Sequence, residues 1–246
     1  MNARKTKRRR IDAFGFQPGR VLAGKYEVLS SLGAGWEGEV FKVREINMGI
    51  VRAAKFFYPH RNPKDRNAHF YAKKLHKLRA CDILIQYHTH ETIRYKGRPI
   101  TFLVSDFVEG ELLCEMLKRQ PGRRMTVFEG LHLLHRLAYG IECIHLLGEY
   151  HGDLHDENII VNRYGLGFEV KLVDLFHWGA PKASKLLQDV CDLIRVLYDV
   201  LGGARQYPRH PAIVKDICCG LKRTLIAQKF RTAGQLREYL ETLEWE

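Results

Sequence analysis

No stretch of this 246-residue chain holds the roughly 20 consecutive apolar residues that span a bilayer, so no transmembrane helix is expected. The start also lacks the apolar centre of a secretory signal. Arg4, Lys5, Lys7, Arg8, Arg9 and Arg10 crowd it, and no hydrophobic run follows them. The six cysteines (Cys81, Cys114, Cys143, Cys191, Cys218 and Cys219) form no C-x-x-C pair and no metal-ligand spacing. Several fall on apolar helical faces, where cysteine acts as a small hydrophobe, and a reduced, cytoplasmic compartment is the expectation. H-E-x-x-H is absent, so His132, His135 and His145 on one helical stretch read as ordinary residues rather than zinc ligands. No internal repeat or low-complexity segment occurs beyond the basic start.

What is present suits a folded domain or one two-lobed unit. Apolar residues make up 46% and aromatics 11%, enough for a core. The formal charge is +12 and the pI near 9.5. Part of that excess is local, and residues 1–20 are expected to form a basic, disordered arm. An acidic partner (protein, nucleic acid or anionic lipid) fits its charge.

The most informative stretch is His151-Gly152-Asp153-Leu154-His155-Asp156-Glu157-Asn158. This polar, acidic loop runs into Ile159-Ile160-Val161, a short buried strand. Asp153 and Asn158 are five residues apart, which suits a loop folding back on itself better than one helical face. A glycine-containing turn, a second strand from Val170 to Val173 and then Asp174 follow. Such a hairpin brings Asn158 and Asp174 to one end, an amide oxygen and a carboxylate of the kind Mg²⁺ prefers. Asp153 is left to accept a proton from an attacking hydroxyl.

Upstream, Gly33-Ala34-Gly35-Trp36-Glu37-Gly38-Glu39-Val40 reads G-x-G-x-x-G-x-V. Glycines let the backbone approach a polyphosphate and present N–H groups to it. A dinucleotide-binding turn needs a helix directly afterwards, whereas here a strand follows from Val40 to Val43. Lys55 lies on the next strand, Val51 to Phe56. A lysine on an otherwise buried strand needs an anionic partner, and nucleotide phosphate is a fitting one.

Taken together, these motifs resemble the protein kinase superfamily. The catalytic-loop pattern H-x-D-x-x-x-x-N, the glycine loop and a V-A-I-K-like strand occur in family order, and the resemblance covers residues 24–243. It implies an α+β, two-lobed fold, with a small, mainly antiparallel β lobe over 21–108 and a mainly α lobe over 109–246. It implies ATP and Mg²⁺. Gly33, Gly35 and Gly38 would cover the triphosphate and Lys55 would fix the α- and β-phosphates. Val40, Ala53 and Ile160 would line the nucleotide. Phe102 to Gly110 is similar to the strand and connection joining the lobes, with backbone of Asp106, Phe107 and Val108 at the adenine edge and Ser105 beside the base. Asp153 is then the catalytic base, with His155 beside it, and Asn158 and Asp174 are the metal ligands. Asp189 matches the aspartate that anchors the catalytic loop, though by position it also suits a helix N-cap.

Three departures bear on function. The basic helix over Pro63 to Leu78 has Tyr71 where the family carries a glutamate for the strand lysine, leaving Glu91 or Asp65 as substitutes. Asp174-Leu175-Phe176 stands where the family has D-F-G. Only fourteen residues separate Asp174 from Asp189, with Ser184 their sole hydroxyl residue and no A-P-E, so the activation segment is short. The expected function is an ATP- and Mg²⁺-dependent phosphotransferase acting on a hydroxyl acceptor, foremost protein Ser/Thr. The bacterial Ser/Thr kinase-like stretch from Tyr26 to Lys55 favours that acceptor. His155 and the G-D-L-H sequence are similar to aminoglycoside and choline kinases, which keeps a small-molecule acceptor in view. The missing glutamate and D-L-F keep a nucleotide-binding pseudokinase scaffold in view.

Overall fold

The computed structural model describes residues 10–164, 167–176 and 179–243. They fall into two compact units: residues 1–76 with 86–107, and residues 77–85 with 108–246.

The first unit is a six-stranded antiparallel sheet with one helix. Its strands are β1 (Val21–Leu22), β2 (Tyr26–Ala34), β3 (Gly38–Glu45), β4 (Val51–Phe57), β5 (Tyr87–Tyr95) and β6 (Arg98–Asp106), in the order β1-β2-β3-β4-β6-β5. Helix α1 (Arg66–Lys77) lies between β4 and β5 in the chain. Side chains alternate across the sheet, so Phe41, Val43, Ala54, Phe56, Phe102 and Val104 turn to one face and form its core. Aromatic rings dominate that core; Phe56 stacks on Phe102 with centroids 4.4 Å apart.

The basic, disordered arm expected over residues 1–20 does not extend over residues 11–16. Residues 1–9 lie outside the described residues, but Ile11, Phe14 and Phe16 are buried in this core. Phe14 and Phe16 each contact Phe56 and Tyr95. Their anchor is Glu39, a buried carboxylate on β3 that accepts from Phe14 N at 2.8 Å, Gly15 N at 3.2 Å and Tyr58 Oη at 3.3 Å. Burial of two phenylalanines, each of order 2 kcal/mol, outweighs the local basic composition.

The second unit is mainly helical. Its elements are β7 (Glu111–Leu112), α2 (Leu113–Arg119), α3 (Val127–Leu146), β8 (Ile159–Tyr164), β9 (Gly167–Leu172), α4 (Ala183–Val200), α5 (Gly203–Gln206), α6 (Ala212–Cys218), α7 (Arg223–Lys229) and α8 (Ala233–Glu241). Helix α3 starts at a capping box, in which Thr126 Oγ1 accepts from Glu129 N and the Glu129 carboxylate accepts from Thr126 N. Leu134, Leu137, Ala138, Ile141 and Ile144 form its buried stripe, as their 3.6-residue period requires. Helices α4 and α8 pack against it. The strands form a small antiparallel sheet, β7-β8-β9.

Residues 77–85, placed by sequence in the first lobe, belong to this second unit. Leu172 N donates to Ile83 O at 2.7 Å, and Ile83 sits so close to α3 that a Cβ on Gly140 would lie 2.1 Å from its Cδ1. Cys81 is bonded to Cys143 of α3, with Cα atoms 5.9 Å apart. The expectation of unpaired cysteines therefore fails for this pair, because contact between a loop and a helix 62 residues away is invisible in local spacing. Cys114, Cys191, Cys218 and Cys219 are free.

Candidate active site

In the first unit, β2 and β3 form the glycine hairpin. Gly35 N donates to Gly38 O at 2.8 Å, closing the turn. Gly38 admits no side chain, since a Cβ there would stand 1.7 Å from the Phe56 carbonyl oxygen of β4. The glycine is thus demanded by packing against the lysine strand as well as by any phosphate. In the sheet register Val40 pairs with Lys55, Lys55 with Leu103, and Ala53 with Ser105. Antiparallel partners share a face, so Val40, Ala53, Lys55 and Ser105 occupy one face, opposite the aromatic core. The expected nucleotide-lining residues of this unit are thereby brought together.

At the end of β6 the Asp106 amide donates to Gln86 O at 3.0 Å. Its carboxylate takes Arg52 Nη1 at 2.7 Å and meets His88 Nε2 at 2.5 Å. Lys42 Nζ sits 4.0 Å from the centre of the Phe107 ring. These contacts fix the chain leaving β6. Lys55 itself is 12% exposed, with its Nζ 3.5 Å from Glu37 Oε2 and 4.6 Å from the Tyr71 ring centre. Neither substitute suggested by sequence is what meets it in this unit. Glu91 is held by Lys25 at 2.5 Å, and Asp65 accepts from Asn62 Nδ2 at 3.0 Å.

In the second unit, α3 delivers the chain to the loop His151–Asn158. Asp189 is fully buried within α4 and accepts from His151 N at 2.7 Å, Gly152 N at 2.9 Å and His145 Nε2 at 3.0 Å. Because α4 begins at Ala183 with Lys182 as its N-cap, the N-cap alternative for Asp189 is corrected and the loop anchor stands. His151 is buried as well. Its Nε2–H donates to Val173 O at 3.1 Å and its Nδ1 accepts from Asp153 N at 3.3 Å, one donor and one acceptor as a neutral imidazole allows.

Asn158 Nδ2 donates to Asp153 O at 2.7 Å and lies 3.3 Å from Asp153 Oδ2. It also meets His155 Nε2 at 2.9 Å, with His155 Nε2 3.7 Å from Asp153 Oδ2. Asp153, His155 and Asn158 therefore form one cluster, and the Asp153 side chain keeps 48% exposure. Val173 N donates to Asn158 O at 3.0 Å, which sets Asp174 beside the loop, with a left-handed φ of 55°. Aspartate tolerates that conformation better than most residues, and such positions gather at functional sites. Among the described residues nothing donates to Asn158 Oδ1. That oxygen and the Asp174 carboxylate fit a Mg²⁺ ion, which takes one or two protein ligands and completes its shell with water and phosphate oxygens. The described residues hold no group of three or more His, Cys, Asp or Glu that could bind a metal unaided. Ile160 on β8 pairs with Leu112 and Lys171 and is partly exposed.

Sequence reasoning passed over Glu37, Asp192 and the role of His145. Asp192, one helical turn beyond Asp189, has its carboxyl pushed up to about 6, mainly by burial. The hydrogen bond from Gln188 opposes that rise, and the Asp189 and Asp153 charges add to it. His145 precedes His151 by six residues at the end of α3, a position whose meaning depends on Asp189 arriving from α4.

The protein kinase domain family model matches residues 26–191, two thirds of the chain. The chain is 30% identical over 162 residues to serine/threonine-protein kinase pkn2 of Myxococcus xanthus, covering 63% of this chain and 18% of that protein. It is 26% identical over 175 residues to serine/threonine-protein kinase A of Synechocystis sp., covering 63% of this chain and 31% of the relative. The chain thus spans less than a third of the length of these relatives. A solved structure, the kinase domain PF14_0431, matches with a TM-score of 0.61 at 18% identity, over 77% of this chain and 68% of that one. That likeness shows the fold.

Proposed function

The chain belongs to the protein kinase family, and from that premise we propose that it transfers the γ-phosphate of ATP to a serine or threonine hydroxyl of a protein. The observation that carries the reading is the Asp153–Asn158 cluster on a loop whose amides are held by buried Asp189. A binding scaffold has no need of an exposed carboxylate positioned this way.

In this reading the glycine-hairpin amides and Lys55 hold the triphosphate, with Val40 and Ala53 against the base. Backbone groups of Asp106 to Val108 meet the adenine edge. Asn158 Oδ1 and the Asp174 carboxylate would hold Mg²⁺, which would neutralise phosphate charge when bound. Asp153 orients the acceptor hydroxyl and takes its proton as the oxygen bonds to the γ-phosphorus. The bond from that phosphorus to the bridging oxygen breaks with its electron pair going to ADP. His155 keeps Asn158 and Asp153 in register. Catalysis is then positioning and electrostatics rather than covalent chemistry on the protein.

Transfer to a small-molecule hydroxyl is the second reading, favoured by the fourteen-residue interval from Asp174 to Asp189; the names of the relatives favour protein. The basic arm is proposed to meet an acidic partner. No helix among the described residues is long and apolar enough to cross a membrane. A cytoplasmic location is proposed on the four free cysteines, with the Cys81–Cys143 bond counting against it.

The test is Mg²⁺-dependent transfer of labelled γ-phosphate to a generic basic protein and to a small-molecule extract. Asp153→Asn should lower transfer about 10²- to 10⁴-fold. Label confined to small molecules moves the conclusion to the second reading. ATP binding without turnover leaves a pseudokinase.

A further inference from the structure

Helix α1 brings no carboxylate to Lys55, since its sequence from Arg66 to Lys77 contains no Asp or Glu. It offers a ring: the buried Tyr71 has its ring centre 4.6 Å from Lys55 Nζ, and the Phe57 ring of β4 lies at 5.5 Å. Within this unit a carboxylate comes instead from the glycine hairpin, where Glu37 Oε2 lies 3.5 Å from Nζ. Resting on the kinase reading above, we infer that Glu37 is the positioning residue for Lys55, taking over the work of a helix glutamate from within the phosphate-covering loop.

The backbone of Glu37 is fixed relative to the strand it serves. Its carbonyl accepts from Tyr58 N at 2.9 Å, just past the end of β4, and the register beside it pairs Gly38 with Phe57 and Val40 with Lys55. The neighbouring Trp36 is covered by the Arg61 guanidinium, 3.8 Å from its ring. A carboxylate tethered at that distance, with both side chains largely withdrawn from water (12% and 21% exposed), is screened less than a surface pair. It keeps the ammonium extended along the sheet face that carries Val40 and Ala53. The other loop acid, Glu39, is committed to the Phe14 and Gly15 amides. One consequence separates this arrangement from a helix-borne partner: loop and lysine are set together within a single hairpin and its neighbouring strand, so α1 need not move to complete the pair.

The experiment compares full-length wild type, Glu37→Gln, Glu37→Asp and the double variant Glu37→Gln/Tyr71→Glu. A glutamate carboxylate reaches about as far from its Cα as the centre of a tyrosine ring, so the double variant returns a charge to the lysine from α1. For each, kcat and KM for Mg²⁺-ATP, calorimetric ATP affinity and thermal unfolding are measured. Glu37→Gln should lower kcat/KM about ten- to a hundredfold without lowering the unfolding midpoint. Glu37→Asp should fall between it and wild type, and the double variant should regain most of the loss. Glu37→Gln at or above wild-type activity overturns the inference, as does Glu37→Asp no better than Gln. If the double variant does not fold, the Asp-against-Gln comparison decides. If wild type transfers no phosphate, the catalytic reading fails by itself. ATP affinity across the same variants then decides this one: weakening by Gln and partial retention by Asp support it, and equal affinities overturn it.

Discussion

Asp189→Asn is the substitution whose cost the structure defines best. The wild-type carboxylate is fully buried and receives three donors: the His151 and Gly152 amides and His145 Nε2. Asparagine keeps one oxygen and turns an NH₂ group toward donors that already carry hydrogen. One backbone N–H is then left facing a donor, and the remaining bonds lose their charge assistance. A hydrogen bond to a charged group contributes about 1.5–3 kcal/mol, and an unsatisfied buried donor costs about 1–3 kcal/mol. Loss of local stability should be about 3–4 kcal/mol, which at 1.36 kcal/mol per decade is on the order of a few hundredfold in the opening equilibrium. Hydrogen exchange of the peptide spanning 150–158 should accelerate by about that factor. Peptides from the β2–β3 hairpin of the other unit should keep their rates. Transfer activity should fall in parallel, because Asp153 follows directly on the anchored amides. Acceleration of less than about tenfold, on the same conversion, would refute the anchoring argument. A uniform rise across both units would show general destabilisation instead.

Two further predictions concern the second unit. Burial pushes the Asp192 carboxyl up to about 6 from its ordinary 3.8, so the folded state binds its proton more tightly. The penalty for ionising it is absent near pH 4, grows as pH rises to about 6 and is constant above that. The full shift corresponds to at most about 3 kcal/mol, and to about half of that after discounting partial solvent access. Asp192→Asn should therefore raise the unfolding midpoint at pH 8 and leave it nearly unchanged at pH 4; equal changes at both would refute the linkage. The Cys81–Cys143 bond spans 62 residues, for which chain entropy gives about 4 kcal/mol. Reductant should lower the stability of wild type by about that amount and leave Cys143→Ala, already destabilised, unaffected. Equal sensitivity of the two would show that the bond does not form in solution.

Legibility of this protein followed the range of the interactions concerned. The glycine hairpin, Lys55, Asp153, Asn158 and Asp174 were readable because each belongs to a short motif whose spacing carries the chemistry. The α3 stripe was readable because periodicity records which face is buried. Where two readings competed for Asp189, sequence could not choose, since its partners arrive from a loop 37 and 38 residues away. Phe14 and Phe16 were assigned to an arm because local charge outweighed them in composition. In the fold they complete an aromatic core whose other rings come from β2 (Tyr26), β3 (Phe41), β4 (Phe56), β5 (Tyr95) and β6 (Phe102), with Tyr58 just past β4. The same holds for residues 77–85, drawn to the second unit by Gly140 and β9, and for Cys81, whose partner sits on α3. Glu37 was visible only as a variable position between glycines, and it acquires meaning from the hairpin folding its carboxylate back over β4. By itself the sequence determined the chemistry of the motifs and the period of the helices. Tertiary structure decided which charges meet and where the ends pack, because those depend on contacts between segments that no local pattern encodes.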